Sequence, residues 1–446
     1  MWTKIEIVPS GRSIIYLPSS LAINREKNKV INVIFGGKSA CAGIQYRDDL
    51  RLSAENSFEK PGRIMLSDKL RDEIFIVEPL VYQFKILDSA IVIGPVIGLL
   101  LGNDTYRYNP GHMQKYSDRF GIYHKIGGLV YAFSPKLIQW KTHTAFGLYY
   151  NYPAAAWEYG CFPLPEVIYR RDFHTNPESI QRLVKFTGGR LFNSYRFSKY
   201  ELHDFLKPNR EINKYLPPTE LSLNFGQVRE FIDRHWNVIL KPVDLSRGRG
   251  ICVIEKKDYQ YTITDYRGKV PIISTMSNDA SLKRFFTANQ EFFSKYLIQK
   301  YVSLAKIGNS RFDIRVVMQR QPDQTWGCTG IECRVSNNTH LTNISRNGYA
   351  LPLDEALHQA FITDHELLRQ QIAALCDKFC RYMDTSGEHY AEFGMDIAVD
   401  SDRHLWLLEA NVFPSFKGFK KTDSNMYLSI RYTPLLYALA LTQFGG

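Results

Sequence analysis

Residues 404–415 read HLWLLEANVFPS. Leu405, Trp406, Leu407 and Leu408 have the apolar density of a buried strand, yet the run ends in Glu409 and Asn411, an acid and an amide two residues apart. Side chains two apart on a strand share a face, so two oxygen donors are expected together at the end of an apolar strand. Just upstream, EFGMDIAV precedes Asp400, Ser401, Asp402 and Arg403, so strands over 393–399 and 404–411 flank a turn, the pattern of a hairpin. With Val399 opposite His404, Asp396 falls opposite Leu407 and shares a face with Glu409 and Asn411. Carboxylates diagonal across a hairpin repel one another, and a cation would resolve the conflict. Oxygen ligands with few carboxylates suit magnesium, which keeps waters and shares its shell with phosphates. The alternative is a salt bridge in which Arg403 or Lys417 neutralises the acids.

Upstream lies NVILKPVDLSRGRGICVIEK (237–256). Its glycine-rich loop lacks the GxxxxGK[ST] spacing of a P-loop, and apolar alternation on both sides predicts strand-loop-strand, a hairpin flap. Gly248 and Gly250 let backbone amides approach an anion, Arg247 and Arg249 add charge, and Lys241 closes the first strand. Taken alone, such a loop is also an ordinary turn. In YLIQKYVSLAKIGNSRFDIRVVMQR (296–320) two apolar strands enclose a polar loop, with Asp313 and Arg315 co-facial. Glu332 and Arg334 form a like pair on the next strand, before SNNTHLTNISRNG. Singly, each pair reads as a surface ion pair of small value.

Ser198 and Glu201 fit a capping box, which predicts a helix from Ser198 that stops before Pro208. Lys199 then sits in the first turn, where the helix dipole disfavours a cation; either solvent screens it or its ammonium meets a phosphate. From 86 to about 185, AIVIGPVIGLLLG predicts one buried parallel strand leading into a turn and helix, and aromatic segments end in CFPLPEVIYRR. Propensity does not account for the prolines around Leu164 or the paired Arg170 and Arg171. Residues 1–85 alternate short apolar runs with Gly, Pro, Asn and Asp, the pattern of a small β-rich unit.

The 446 residues, with 44% hydrophobic and 13% aromatic content, can fill several cores. The N-terminus has no apolar signal region, and the longest apolar run, 90–101, falls short of the ~20 residues of a membrane span. A cytoplasmic protein without a membrane partner is expected. Seven cysteines without a secretion signal argue against a disulfide framework. Cys376 and Cys380 sit in the helical stripe Leu368, Ile372, Leu375, Phe379 and Met383, and read as core thiols; zinc is not expected. The formal charge of +11 points to an anionic partner. With no Lys/Arg tract, a nucleotide is expected before nucleic acid.

Taken in order, Lys199, Lys241 with its flap, IQKYV, FDIRV, CRVSNN…TNIS, MDIAVD and LLEAN resemble the ATP-grasp superfamily over 187–446. With GPVIGLL, GGLVYAFSP and FPLPEVIYRR, most of the chain resembles the YheC/YheD family of endospore-associated ATP-grasp proteins. The resemblance implies an α/β (α+β) architecture: a β-rich domain (1–85), a Rossmann-like pre-ATP-grasp domain (86–186) and an ATP-grasp domain (187–446). It implies that Lys199 and Lys241 contact ATP phosphates under a flap of Asp244, Ser246, Arg247, Gly248, Arg249 and Gly250. Gln299, Lys300, Tyr301 and Val302 would form the hinge whose backbone reads adenine, with Asp313 near the ribose. Arg315, Arg334 and Asn343 would face the phosphoryl group or acceptor. Asp396, Glu409 and Asn411 would hold magnesium, or manganese in its place. In relatives a proline often follows the Glu-x-Asn element directly; here Val412 and Phe413 intervene before Pro414. The implied reaction is ATP-dependent carboxylate–amine ligation through an acyl phosphate, on an amino acid or an acidic peptide or protein, with association to the spore. The alternative is a spore-associated structural or interaction protein that binds nucleotide without turnover.

Overall fold

The structure, a computed structural model, describes residues 1–22, 30–51, 55–172, 174–244, 249–268, 270–336 and 348–445. Its strands fall into four sheets. The first is a closed barrel in the order Trp2–Val8, Gly62–Ser67, Ile14–Pro18, Lys38–Arg47, Val30–Phe35, Ala90–Gly94 and Val81–Ile86. The barrel thus runs past residue 85, the expected domain edge, because Val81–Ile86 and Ala90–Gly94 are partners in one antiparallel pair.

The single strand expected in AIVIGPVIGLLLG is two. Ala90–Gly94 belongs to the barrel, and Val96–Leu100 lies in the second sheet, parallel to both Leu129–Gln139 and Val167–Arg170. Both are wholly buried, so hydropathy carries no trace of the change of sheet. Pro95, which has no N–H to give a ladder, stands at the break. The second sheet continues to Leu191–Phe192, also beyond its expected edge at 186, while Thr144–Asn151 and Ala156–Pro163 extend it antiparallel on the other side.

The segment that propensity left unexplained joins these units. Leu164 O accepts from Gly37 N of the barrel, and the Glu166 carboxylate accepts from Val96 N. Arg170 pairs with Asp172 and donates to Ser194 O; Arg171 pairs with Glu392 at 2.5 Å and donates to Pro414 O at 2.7 Å. Arg171 therefore ties the second sheet to the strand and loop that frame the 404–415 stretch.

The third and fourth sheets are antiparallel. The third, in the order Thr219–Leu221, Tyr296–Lys300, Asn237–Pro242, Cys252–Lys257, Gln260–Asp265 and Ile272–Met276, carries helices Phe225–His235 and Asp279–Ala288 on one face. Val238, Leu240, Ile254 and Ile298 meet Val228, Phe231, Leu282 and Phe286 there. On the other face Ile239, Ile251, Val253 and Tyr266 form a small apolar patch with Tyr301. The fourth sheet orders Tyr349–Leu351, Trp326–Val335, Ser310–Arg320, Glu392–Val399 and Leu405–Asn411. The stripe predicted around Cys376 and Cys380 forms the amphipathic helix His365–Met383, which buries both thiols against Phe312, Ile314, Val316 and Ile397. Alternation then sends Asp313, Arg315, Glu332, Arg334 and Asp396 to the opposite face. Among the described residues no helix is long and apolar enough to cross a membrane.

Candidate functional site

The hairpin Glu392–Val399 and Leu405–Asn411 forms in a register different from the expected one. Val399 lies opposite Leu405 and Ile397 opposite Leu407; then the register shifts, so that Asp396 faces Glu409 directly and Gly394 faces Asn411. Leu408 is the extra residue of a β-bulge. Leu405 and Leu407 belong to the core side, and beyond the bulge Ala410 and Val412 take over that side. The bulge thus turns Glu409 and Asn411 to the face of Asp396.

Asp396 is nonetheless already engaged. Its two carboxylate oxygens accept from Arg315 at 2.5 and 3.1 Å, and Arg334 lies 2.9 Å from Oδ2. Arg334 also grips Asp313 through two bonds of 2.7 Å. The partners expected for a salt bridge, Arg403 and Lys417, are not the ones used; Arg403 pairs with Asp364. Burial opposes the charge of Asp396, but Arg315 and Arg334 outweigh it and hold its carboxyl below the usual range. Against the same burial, Asp313 and Asp396 hold Arg334 well above its ordinary value. The four side chains form an ion network, little exposed, on the face of the sheet opposite the helix.

Beside it opens a cleft lined by Lys199, Lys241, Thr219, Gln299, Glu409 and Asn411, with Leu202, Leu216, Leu407 and Phe413 as its apolar wall. Lys199 begins helix Lys199–Leu206, whose capping box forms in both directions: Glu201 N donates to Ser198 Oγ, and Ser198 N to the Glu201 carboxylate. Its ammonium donates to Pro242 O at 3.3 Å and lies 3.9 Å from Glu409 Oε1. Lys241, near the end of Asn237–Pro242, donates to Gln299 Oε1 at 2.6 Å. Burial pushes its pKa down to about 8; Lys199 adds to this, while Glu409 and Asp396 pull the other way.

The remaining expected residues are placed as follows. The flap strands pair as a hairpin, Asn237–Pro242 with Cys252–Lys257; Ser246, Arg247, Gly248 and also Asn343 lie outside the described residues. Arg196 donates to Asp244 O, and Gly250 has φ of +74°, a value glycine tolerates. Lys300 N and Tyr301 N donate to Pro218 O and Asn237 O, so part of the hinge backbone is spent on sheet pairing. Arg315 also donates to Ser415 O at 3.4 Å. Lys199, Lys241, Gln299, Glu409 and Asn411 share the cleft; Asp313, Arg315, Arg334 and Asp396 share the ion network.

Two groups gain weight that their sequence alone did not give them. Glu332, noted only as a co-facial acid, is 4% exposed opposite Arg315. Burial pushes its pKa up to about 7 although Arg315 and Arg334 lower it. One of its oxygens would stand 2.1 Å from a Cβ on Gly418, so a side chain there would have to displace the Glu332 carboxylate. Thr219 carried no motif at all.

For a divalent ion, the donor set fits in part. Glu409, with a 28% exposed side chain, and the co-facial Asn411 offer oxygens to the cleft, which suits an ion completing its shell with water and phosphate. Asp396 would have to share oxygens that already accept from guanidinium groups. Among the described residues, no three His, Cys, Asp or Glu side chains surround a common metal position.

An open cleft between two antiparallel α+β lobes, with a lysine from each flank and an acid-amide pair at the end of a hairpin, defines an ATP-grasp protein. Residues 188–441 match the YheC/D-like ATP-grasp family, and the chain belongs to it. It is similar to the endospore coat-associated protein YheD of Bacillus subtilis strain 168, 24% identical over 424 residues, spanning 92% of this chain and 89% of that one. Endospore coat-associated protein YheC of the same organism is 24% identical over 295 residues, 64% of this chain and 80% of that one. Among solved structures it is similar to D-cycloserine synthetase DcsG, with a TM-score of 0.45 and 12% identity over 77% of this chain and all of that one.

Proposed function

We propose that this protein is an ATP- and magnesium-dependent carboxylate–amine ligase acting through an acyl phosphate, with manganese able to replace magnesium. The observation that carries the proposal is the convergence of Lys199, Lys241, Glu409 and Asn411 on one cleft in a chain of the ATP-grasp family. Lys199 and Lys241 neutralise the phosphates, and the apolar patch around Ile239 and Tyr301 receives the adenine ring. Arg315 and Arg334, held in orientation by Asp396 and Asp313, direct their remaining N–H groups at the carboxylate substrate and the developing oxyanion. Glu409 and Asn411, with a share of Asp396, would hold a magnesium ion, which would supply charge neutralisation at the phosphates. Such transfer rests on positioning and charge and needs no protein nucleophile. The acceptor is an amine of an amino acid or of an acidic peptide or protein. The name of YheD supports association with the spore coat.

Mg-ATP at a hundredfold excess over its Kd should stabilise the protein by about 2.7 kcal/mol. A thermal unfolding curve unmoved by millimolar Mg-ATP overturns the reading. Lys241→Met should weaken Mg-ATP by ~10–100-fold, the scale of a charge-assisted hydrogen bond of about 1.5–3 kcal/mol. With hydroxylamine in place of the amine, a correct carboxylate should yield ADP and a trapped hydroxamate. Glu409→Gln should slow that turnover by ~100-fold or more.

A further inference from the structure

Thr219, Gln299 and Lys241 form a chain across three strands of the third sheet. Thr219 lies directly opposite Gln299, while Lys241 lies opposite Leu297, which makes it the diagonal neighbour of Gln299. Thr219 Oγ1 is 2.8 Å from Pro217 O, Gln299 Nε2 is 2.8 Å from Thr219 Oγ1, and Lys241 Nζ is 2.6 Å from Gln299 Oε1. Thr219 is 8% exposed and Gln299 7%.

The direction of every proton in this chain follows from its two ends. A carbonyl oxygen only accepts, so the single hydrogen of the Thr219 hydroxyl is committed to Pro217 O. The hydroxyl oxygen can then only accept from Gln299, and the amide must turn its NH2 toward Thr219. At the other end an ammonium only donates, so it requires the amide oxygen. Both ends demand the same orientation of a group that could otherwise face either way.

We propose that Thr219 is a positioning residue for the nucleotide: through the Gln299 amide it fixes the oxygen on which Lys241 rests and so keeps the ammonium aimed into the cleft. The inference rests on the reading of that cleft as a nucleotide site. It also gives the Gln299 side chain a role separate from any backbone contact with a purine. The buried lysine has reason to need such support, since burial and the charge of Lys199 both work against its ammonium.

The experiment is calorimetric titration with the magnesium complex of a non-hydrolysable ATP analogue. Thr219→Val keeps the shape but removes the acceptor for the amide, which is then held at the ammonium end alone and loses its fixed direction. The Kd should rise ~tenfold, the upper scale of one lost neutral hydrogen bond, whereas Thr219→Ser should return it to within ~threefold of wild type. In a Gln299→Glu background the same Thr219→Val change should cost less than ~threefold, because a carboxylate presents an oxygen to Lys241 whichever way it lies. Unfolding curves of all variants establish that each is folded. An unchanged Kd for Thr219→Val overturns the inference, as does an equal loss in both backgrounds, which marks a packing effect. If the wild type itself does not bind the analogue, the nucleotide reading falls and the inference falls with it.

Discussion

The ion network and the cleft stand side by side on the same molecule and treat charge in opposite ways. In the network two buried guanidinium groups and two buried carboxylates satisfy one another within 2.5–3.1 Å. In the cleft, Lys241 leans on an amide and Lys199 on a carbonyl, with Glu409 no closer than 3.9 Å to Lys199. Closed charge gives a rigid wall that holds its guanidinium groups in one orientation. An ammonium resting on a neutral amide, as Lys241 does, keeps its charge for an anionic ligand. The contrast predicts that damage to the network is read in stability as well as in turnover, and damage to the cleft in binding without loss of stability.

The sharpest way to break that contrast is Asp396→Ala. It leaves Arg315 without its carboxylate and Arg334 with one partner of two, and should cost ~3–5 kcal/mol, the range for a buried pair that loses one member. Urea unfolding measures it; a loss below about 1 kcal/mol would mean that water already shares the network. Lys241→Met, by contrast, should leave the unliganded protein as stable as wild type, within about 1 kcal/mol, in the same assay.

Glu332 tests the boundary between the two regions, being a buried acid beside Arg315 whose charge is left incompletely matched. Its folded pKa of about 7 exceeds the ordinary value of 4.5, so between those values the folded protein holds a proton the unfolded chain has released. Stability therefore falls as pH rises through that window, and the deficit is complete above pH 7. Glu332→Gln should raise stability by about 3 kcal/mol at pH 8 and leave it unchanged near pH 4. A gain that does not vary with pH would assign the effect to packing. The smallest effect is expected from Ser198→Ala, which removes the cap of the Lys199 helix at a cost of about 1 kcal/mol in chemical unfolding.

What was legible in the sequence was local. The capping box at Ser198 needs only residues three apart, and the helix around Cys376 and Cys380 needs only its stripe, so both stood as read. The polar side of the hairpin was visible in LLEAN because an acid at the end of an apolar strand is conspicuous. Its register was not, since nothing in Leu408 distinguishes a paired residue from a bulged one. The partners of Asp396 are 81 and 62 positions away along the chain at Arg315 and Arg334, too far for periodicity to connect, and the nearer cations Arg403 and Lys417 were the natural but mistaken choice. The division at Pro95 escaped for a related reason: strands buried on both faces look alike whichever sheet they enter.

The bulge at Leu408 makes the chemistry of this hairpin a matter of parity. Ahead of it, odd-numbered positions 405 and 407 face the core; behind it, even-numbered 410 and 412 do. Were 408 drawn into the ladder as a paired residue, Glu409 and Asn411 would turn into the hydrophobic interior and Ala410 to the cleft, whereas deleting it would leave Ile397 opposite Leu407 and Asp396 opposite Glu409 in an unbroken register. A lineage of this fold can therefore vary or drop the letter at 408, yet it cannot lock that letter into the ladder without exchanging its inside for its outside.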